Sequence, residues 1–268
     1  MGAVAVDEFS EIQPNTNGAL LRGFGTGFVL LFIWWAGVKI FQPAPFILPG
    51  PFSVFNALFE QLGSLLYHAG ITLLEIVLGL VLGTILGVIT ALLMNSFGFA
   101  RRYIMPVVVA SQALPVFAIA PLLILWFGLG LGSKIAMATL IIYFPVASAL
   151  NDGLTRAEGS YIDLAKLYGA NRWQTLIHFR LPAAMPSLAS GLRVAATVAP
   201  IGAIVGEWVG ASGGLGYVIN QANARMQTDT VFAGLFLLVI MVVVLRLIVD
   251  VALNKLVHWA PQTNSHFV

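Results

Sequence analysis

The chain has 268 residues, of which 59% are apolar and only 9% charged, and its mean hydropathy is +0.93. An average globular chain carries about 25% charged residues, so this one cannot cover a compact globule with polar surface and needs lipid as part of its solvent. The absence of cysteine excludes disulfides, thiolate metal sites and a cysteine nucleophile, and 13 basic against 11 acidic residues give no nucleic-acid surface.

A helix needs about 20 apolar residues to cross the hydrocarbon core. Charge-free runs at 76–100 and 103–133, with shorter ones elsewhere, predict six spans near 20–41, 71–94, 104–127, 134–150, 184–209 and 231–253. The expected fold is an all-α polytopic membrane protein of about six transmembrane helices. It divides into a cytoplasmic tail at 1–19, a transmembrane domain at 20–254 and a second tail at 255–268. With the N-terminus inside, the cytoplasmic side holds Arg22, Arg101, Arg102, Arg156, Lys166, Arg172, Arg180, Arg193 and Lys255, against Lys39, Lys134 and Arg225 outside. That bias places both termini in the cytoplasm.

Ahead of the first span, Asp7, Glu8 and Glu11 make an acidic flank unlike that of a cleaved signal peptide. The outer loop 42–70 opens with Pro43, Pro45, Pro49 and Pro51, and Ser53 is placed as the N-cap of a short interfacial helix. In the second span Glu75 lies near the outer end, where it reads as interfacial. Gly79, Gly83 and Gly87 recur every fourth residue, a stripe that lets another helix approach closely, within one chain or between two. The third span carries Pro106, Pro115 and Pro121 and is expected to bend, either to line a path or as a packing kink. Ser111 and Gln112 lie in it. The run Gly128-Leu-Gly-Leu-Gly-Ser-Lys134 fails phosphate-loop spacing and reads as a tight turn.

Glu207, beside Gly206 and Trp208, reads as a gate or a helix-breaking contact. Ser111, Gln112, Glu207 and Asn220 are the pathway candidates. Arg246 and Asp250 are four apart and can pair along one helix face. His68, His178, His258 and His266 are scattered, with no metal spacing. No catalytic, cofactor-binding or metal residue is expected. An intramembrane enzyme would call for an acidic or His/Asp cluster, and a stand-alone ion-driven carrier for paired halves with midplane charges. Neither pattern is evident.

The loop 152–185 carries most of the charge. Its segment from Asp163 to Pro182 reads as two short helices meeting at Gly169, which suits a left-handed turn. Ile162, Ala165 and Leu167 are the apolar residues of the first; Trp173, Leu176, Ile177 and Phe179 are those of the second. Such a unit is either a docking surface or an amphipathic element lying on the membrane.

The same segment resembles the EAA loop of binding-protein-dependent ATP-binding-cassette importer permeases. That pattern is Glu-Ala-Ala, three residues, Gly, nine residues, then Ile-x-Leu-Pro. Here Asp163-Leu164-Ala165, three residues, Gly169, nine residues and Phe179-Arg180-Leu181-Pro182 keep the spacing. Asp163 replaces Glu, Leu164 replaces Ala and Phe179 replaces Ile. The similarity runs from about 48 to 253. The stretches 121–130 and 206–217 look like the nitrate, sulfonate, taurine and bicarbonate branch, and 223–229 most resembles permeases for the pyrimidine precursor of thiamine. Glu75 departs from the basic residue common there in sulfonate-type members.

The resemblance implies a subunit that binds no ATP and performs no catalysis itself. ATP-Mg would sit on two ATPase subunits, docked through Asp163, Leu164, Ala165, Tyr168, Gly169, Arg172, Trp173, Leu181 and Pro182. A second permease copy, as a homodimer, and an extracytoplasmic substrate-binding protein are the other implied partners, in the inner membrane of a bacterium. The implied cargo is a small polar solute, first a thiamine-precursor pyrimidine, with an alkanesulfonate, taurine, nitrate or bicarbonate as alternatives.

Overall fold

A computed structural model describes the backbone of residues 16–113, 115–156, 163, 165 and 167–259, and side chains from residue 25 onward except Ala113. Every regular element is helical: α1 (Thr16–Phe41), α2 (Pro51–Glu60), α3 (Leu62–Ser96), α4 (Gly98–Ala113), α5 (Val116–Phe127), α6 (Leu131–Thr155), α7 (Arg172–Thr175), a π-helical turn (Leu176–Arg180), α8 (Leu181–Gly210), α9 (Leu215–Ala224) and α10 (Thr228–Leu256). Four stretches are long and apolar enough to cross a membrane: Leu62–Ser96, Leu131–Thr155, Arg172–Gly210 and Thr228–Leu256. The bent pair α4–α5 counts as a fifth, and Gly25–Phe41 is a shorter apolar helix. The six runs read from the sequence thus correspond to four full spans, one bent pair and this shorter helix.

The bend in the third run falls at Pro115, which stands as the N-cap of α5 in extended conformation (φ −67°, ψ 119°). Pro106 and Pro121 sit inside α4 and α5. The helix before the loop side of α3 also differs from the expectation. Gly50 is the N-cap of α2 and Pro51 takes its first position, so Ser53 lies inside the first turn and caps nothing. Proline is preorganised there and its missing N–H would have been unpaired anyway. The glycine-rich stretch after α5 is the predicted turn: Gly128 adopts φ +79° and Gly130 caps α6.

The core is built around α6, which packs along α3 on one side and α8 on the other. Glycines set both spacings. A Cβ on Gly79 would fall 2.5 Å from Ala138 Cβ, on Gly83 2.7 Å from Ile142 Cγ2, and on Gly87 2.9 Å from Val146 Cβ. The stripe therefore serves packing within the chain. From the other side Gly191 meets Ala149 and the Pro145 carbonyl, and Gly202 meets the Ala138 backbone, with a Cβ reaching 2.6 Å from Ala138 Cα. Ile142, Val146, Leu150, Ala195 and Ala199 are fully buried between these helices. Lipid-facing packing has no hydrophobic drive, so close backbone contact and dispersion must supply the cohesion.

Gly202→Ala should destabilise the fold by about 1–3 kcal/mol, the usual range for overpacking, because its neighbour is backbone and cannot move aside. Gly37→Ala, with nothing within 4 Å, should leave it unchanged. Thermal unfolding of the two purified variants checks this; equal melting would refute the packing argument.

Candidate functional site

Two regions carry polar chemistry at opposite ends of the helices. The first is the segment 163–182. Gly169 has φ +68°, a left-handed conformation that favours glycine, and the Ala170 N–H donates to the Ala165 carbonyl at 2.9 Å. The chain then re-enters a helix at Asn171. Its side chain accepts from the Gln174 N–H at 2.9 Å, while the Gln174 side chain accepts from the Asn171 N–H at 2.8 Å. This reciprocal capping box fixes the start of α7. The sequence reading passed over it, although Asn-x-x-Gln before an apolar run is its recognisable signature.

Burial divides the predicted docking residues. Ala165 is fully buried and Leu176 is buried. Leu167 and Tyr168 are 85% and 80% exposed, and Trp173 and Ile177 are more than half exposed, so four apolar side chains face outward around one turn. Asp163 and Arg172 are exposed, Leu181 is half-buried and Pro182 exposed in the first turn of α8. Leu164, Ile162, residues 1–15 and residues 260–268 lie outside the described residues. The Leu181 N–H donates to the Leu176 carbonyl five residues back, which makes the turn before α8 π-helical.

The second region lies at the far end of α3, α8 and α9. Three consecutive backbone N–H groups open α9, and each has a side-chain acceptor. Gly214 N donates to His68 Nδ1 at 3.1 Å, Leu215 N to Thr72 Oγ1 at 2.8 Å and Gly216 N to Glu207 Oε2 at 2.5 Å. Thr72 Oγ1 in turn donates to Glu207 Oε1 at 2.6 Å. The first N–H groups of a helix lack internal partners, and a carboxylate there also meets the positive end of the helix dipole. Gly214 has φ +106°, and a Cβ on it would collide with the Glu207 carboxylate. Glu207 is 1% exposed and caps the start of α9, a contact that the sequence reading of a gate or a helix-breaking residue did not anticipate.

Glu75 belongs to the same cluster. It is fully buried, contrary to the interfacial reading, with the Lys134 ammonium 3.9 Å from its carboxylate and Glu207 adjoining it. Lys134, counted among the outer loop charges, is itself buried in the first turn of α6, and a Cβ on Gly206 would touch its Cγ at 3.0 Å. Sequence reasoning missed Thr72, His68 and Lys134 because their partners are more than 50 residues away along the chain. The other pathway candidates lie apart. Ser111 donates to the Val108 carbonyl at 2.7 Å, Gln112 is exposed near the end of α4, and Asn220 is exposed on α9 with its amide 3.5 Å from the Trp208 carbonyl. Among the described residues no hydrogen bond joins Ser111 or Gln112 to Glu207 or Asn220, and no group of three metal-ligating side chains occurs.

With this geometry in hand, the class follows from comparison with known proteins. Residues 83–259 match the family described as binding-protein-dependent transport system inner membrane component, and the chain belongs to that family. It is 48% identical to a Haemophilus influenzae protein named "Probable ABC transporter permease protein", over 85% of this chain and 94% of that one. It is 34% identical to the formylaminopyrimidine transport permease protein ThiX of Halalkalibacterium halodurans, over 79% and 85% of the two chains. It is 37% identical to the riboflavin transport system permease protein RibX of Chloroflexus aurantiacus, over 86% and 87%. The fold is similar to a chain of the MetNI methionine ABC transporter in inward-facing conformations, with a TM-score of 0.56 and 20% identity, covering 77% of this chain and 97% of that one. The chain is thus a multi-pass ABC importer permease subunit.

Thr72→Val leaves the Leu215 N–H and one Glu207 oxygen unpaired, each worth about 1–3 kcal/mol when buried. In the cysteine-free background, a single Ala222→Cys reporter, buried on α9, should then label with a thiol reagent several-fold faster. An unchanged labelling rate would show that the cap does not hold α9.

Proposed function

We propose that this permease moves a nitrogen heteroaromatic solute, a thiamine-precursor pyrimidine being the best fit, into the bacterial cytoplasm as half of a homodimer, driven by two ABC ATPase subunits and supplied by an extracytoplasmic binding protein. The observation that carries the docking role is the exposed set Leu167, Tyr168, Trp173 and Ile177 at a left-handed glycine. Apolar side chains held outward on a capped, stiff turn are suited to a protein groove. Segment 163–182 is then cytoplasmic, which agrees with the excess of Lys and Arg on that side. Asp163, Leu164, Ala165 and Gly169 form the element that enters the ATPase, while Tyr168, Arg172 and Trp173 supply contacts and Leu181 and Pro182 pass the motion to α8.

The geometry suggests how closure of an ATPase dimer acts on the pathway. The turn 176–180 runs without a break into α8, so displacement of Trp173 is transmitted along one rod to Glu207 at the far end. There Glu207, Thr72 and His68 hold the start of α9, and the outer loop moves with the rod.

The substrate class is favoured by the relatives just described, for formylaminopyrimidine and riboflavin: both solutes are flat nitrogen heterocycles.

Three measurements test the reading. Gly169→Pro should abolish ATP-driven uptake by the complete complex in proteoliposomes while membrane insertion stays normal. Pull-down of the ATPase should fail with the same variant. Full uptake would remove the docking role. In the wild-type complex, an aminopyrimidine should be taken up and taurine should not; the reverse result would replace the heteroaromatic class by the sulfonate one.

A further inference from the structure

Near the coupling-segment end of α8 and α10 lies a charged network that the transport reading does not use. Arg193 Nε donates to Asp250 Oδ1 at 2.8 Å and its Nη2 to Asn254 Oδ1 at 2.9 Å. Arg246 Nε donates to Asp250 Oδ2 at 2.8 Å, and its Nη1 donates to the Arg193 carbonyl at 2.6 Å and to Thr197 Oγ1 at 3.3 Å. Two guanidiniums share one carboxylate, which leaves one positive charge. Each guanidinium has five N–H donors. By the contacts just given, three on Arg193 and the two on Arg246 Nη2 remain unspent. The three charged side chains are 29–32% exposed, so these donors are open to a molecule outside the chain.

The depth of the network is set by helix length. A hydrocarbon core of about 30 Å takes about 20 helical residues. Counted from Thr230 at the far end of α10, that reaches Asp250. Arg246, Asp250 and Asn254 therefore straddle the membrane boundary on the coupling-segment side. Directly beyond the network opens a cleft of about 440 Å³ between α5, α8 and α10, lined by Ile201, Ile204, Leu238, Val239 and Val242. Thr197 belongs to both, since it lines the cleft and accepts from Arg246. Leu238 is twelve residues from Asp250, about 18 Å along the helix, so the cleft runs from the boundary to just past the roughly 15 Å depth of one leaflet.

We infer that this face holds an anionic glycerophospholipid of the coupling-side leaflet, its phosphate on Arg193 and Arg246 and one acyl chain in the cleft. Guanidiniums suit phosphate because their planar donors engage two oxygens at once. Basic pockets between transmembrane helices on this side of a membrane recognise acidic headgroups. The lining favours a lipid over a free polar solute, because Thr197 and the Trp208 indole N–H at its far end are the polar side-chain groups among its lining residues, too few to replace a solute's lost water contacts. The single surplus charge matches one anionic headgroup.

The test uses the full-length protein, purified and stripped of lipid, titrated with phosphatidylglycerol, phosphatidylcholine or inorganic phosphate and followed by native mass spectrometry and thermal unfolding. Phosphatidylglycerol should bind one per chain, at least tenfold tighter than phosphatidylcholine, and raise the melting temperature of the wild type, a result that needs no variant. Arg246→Gln should lose about tenfold in phosphatidylglycerol affinity. Ile201→Trp fills the cleft without touching either arginine and should weaken phosphatidylglycerol while leaving the lipid-free melting temperature unchanged. Equal binding of the two lipids would overturn the proposal. So would displacement of phosphatidylglycerol by millimolar inorganic phosphate with no effect of Ile201→Trp, which would make the arginines a site for free oxyanions.

Discussion

The close approach of α6 to both of its neighbours is the constraint on which the rest of the molecule depends. Gly79, Gly83 and Gly87 admit it to α3, and Gly191, Gly202 and Gly206 admit it to α8. In lipid there is no gain from hiding apolar surface, so the three helices are held by contact at backbone distance. That spacing also fixes the polar cluster above it. Lys134, in the first turn of α6, lies directly against Gly206, and at this separation its ammonium stands beside Glu75 of α3. A larger residue at either glycine would move the ion pair and the Glu207 cap together.

Much of the architecture is legible in the sequence because lipid imposes a simple code: long apolar runs, glycines every fourth residue and prolines at breaks. The runs locate α3, α6, α8 and α10 to within several residues, except that α3 begins nine residues earlier than expected. There the sequence around His68 reads as loop, yet helix continues to Leu62 because Leu65 is buried against Leu215 and Ala233. Ser53 misled because proline two positions earlier outcompetes it for the helix start. In segment 163–182 the turn at Gly169 was legible because its backbone demand is local, whereas Pro182 marks no boundary: it sits within a helical stretch that runs unbroken from Arg172 to Gly210, so the second short helix expected from the sequence is the beginning of the long one. The far-side network was not, since Glu207 finds Thr72 at a separation of 135 residues and no periodicity encodes such a meeting. Lys134 was misplaced for a related reason: a basic residue at the edge of an apolar run looks like a loop charge unless its acidic partner on another helix is known.

The two ends of α8 are built differently, in keeping with different tasks. At the far end, polar groups are buried, mutually hydrogen-bonded and closed over by glycines with no room to spare. At the Asn171 end, the polar groups of Asn171 and Gln174 satisfy one another locally, and Trp173 and Ile177 are left facing outward. A permease of this family needs both, a part that keeps its geometry and a part that is offered to another protein.

The π-helical turn between these ends also sets a phase. A π turn is in effect one residue more than an α-helix would hold over the same length, and each residue in an α-helix rotates the side-chain direction by about 100°. Deleting a single residue between 176 and 180 would let α7 and α8 fuse into regular helix with Trp173 facing much as it does now, whereas winding all five residues into regular α-helix would swing Trp173 about a quarter-turn around the axis. The π turn itself therefore sets the direction in which Trp173 faces, and its loss without a compensating deletion would turn that side chain away without removing a single residue.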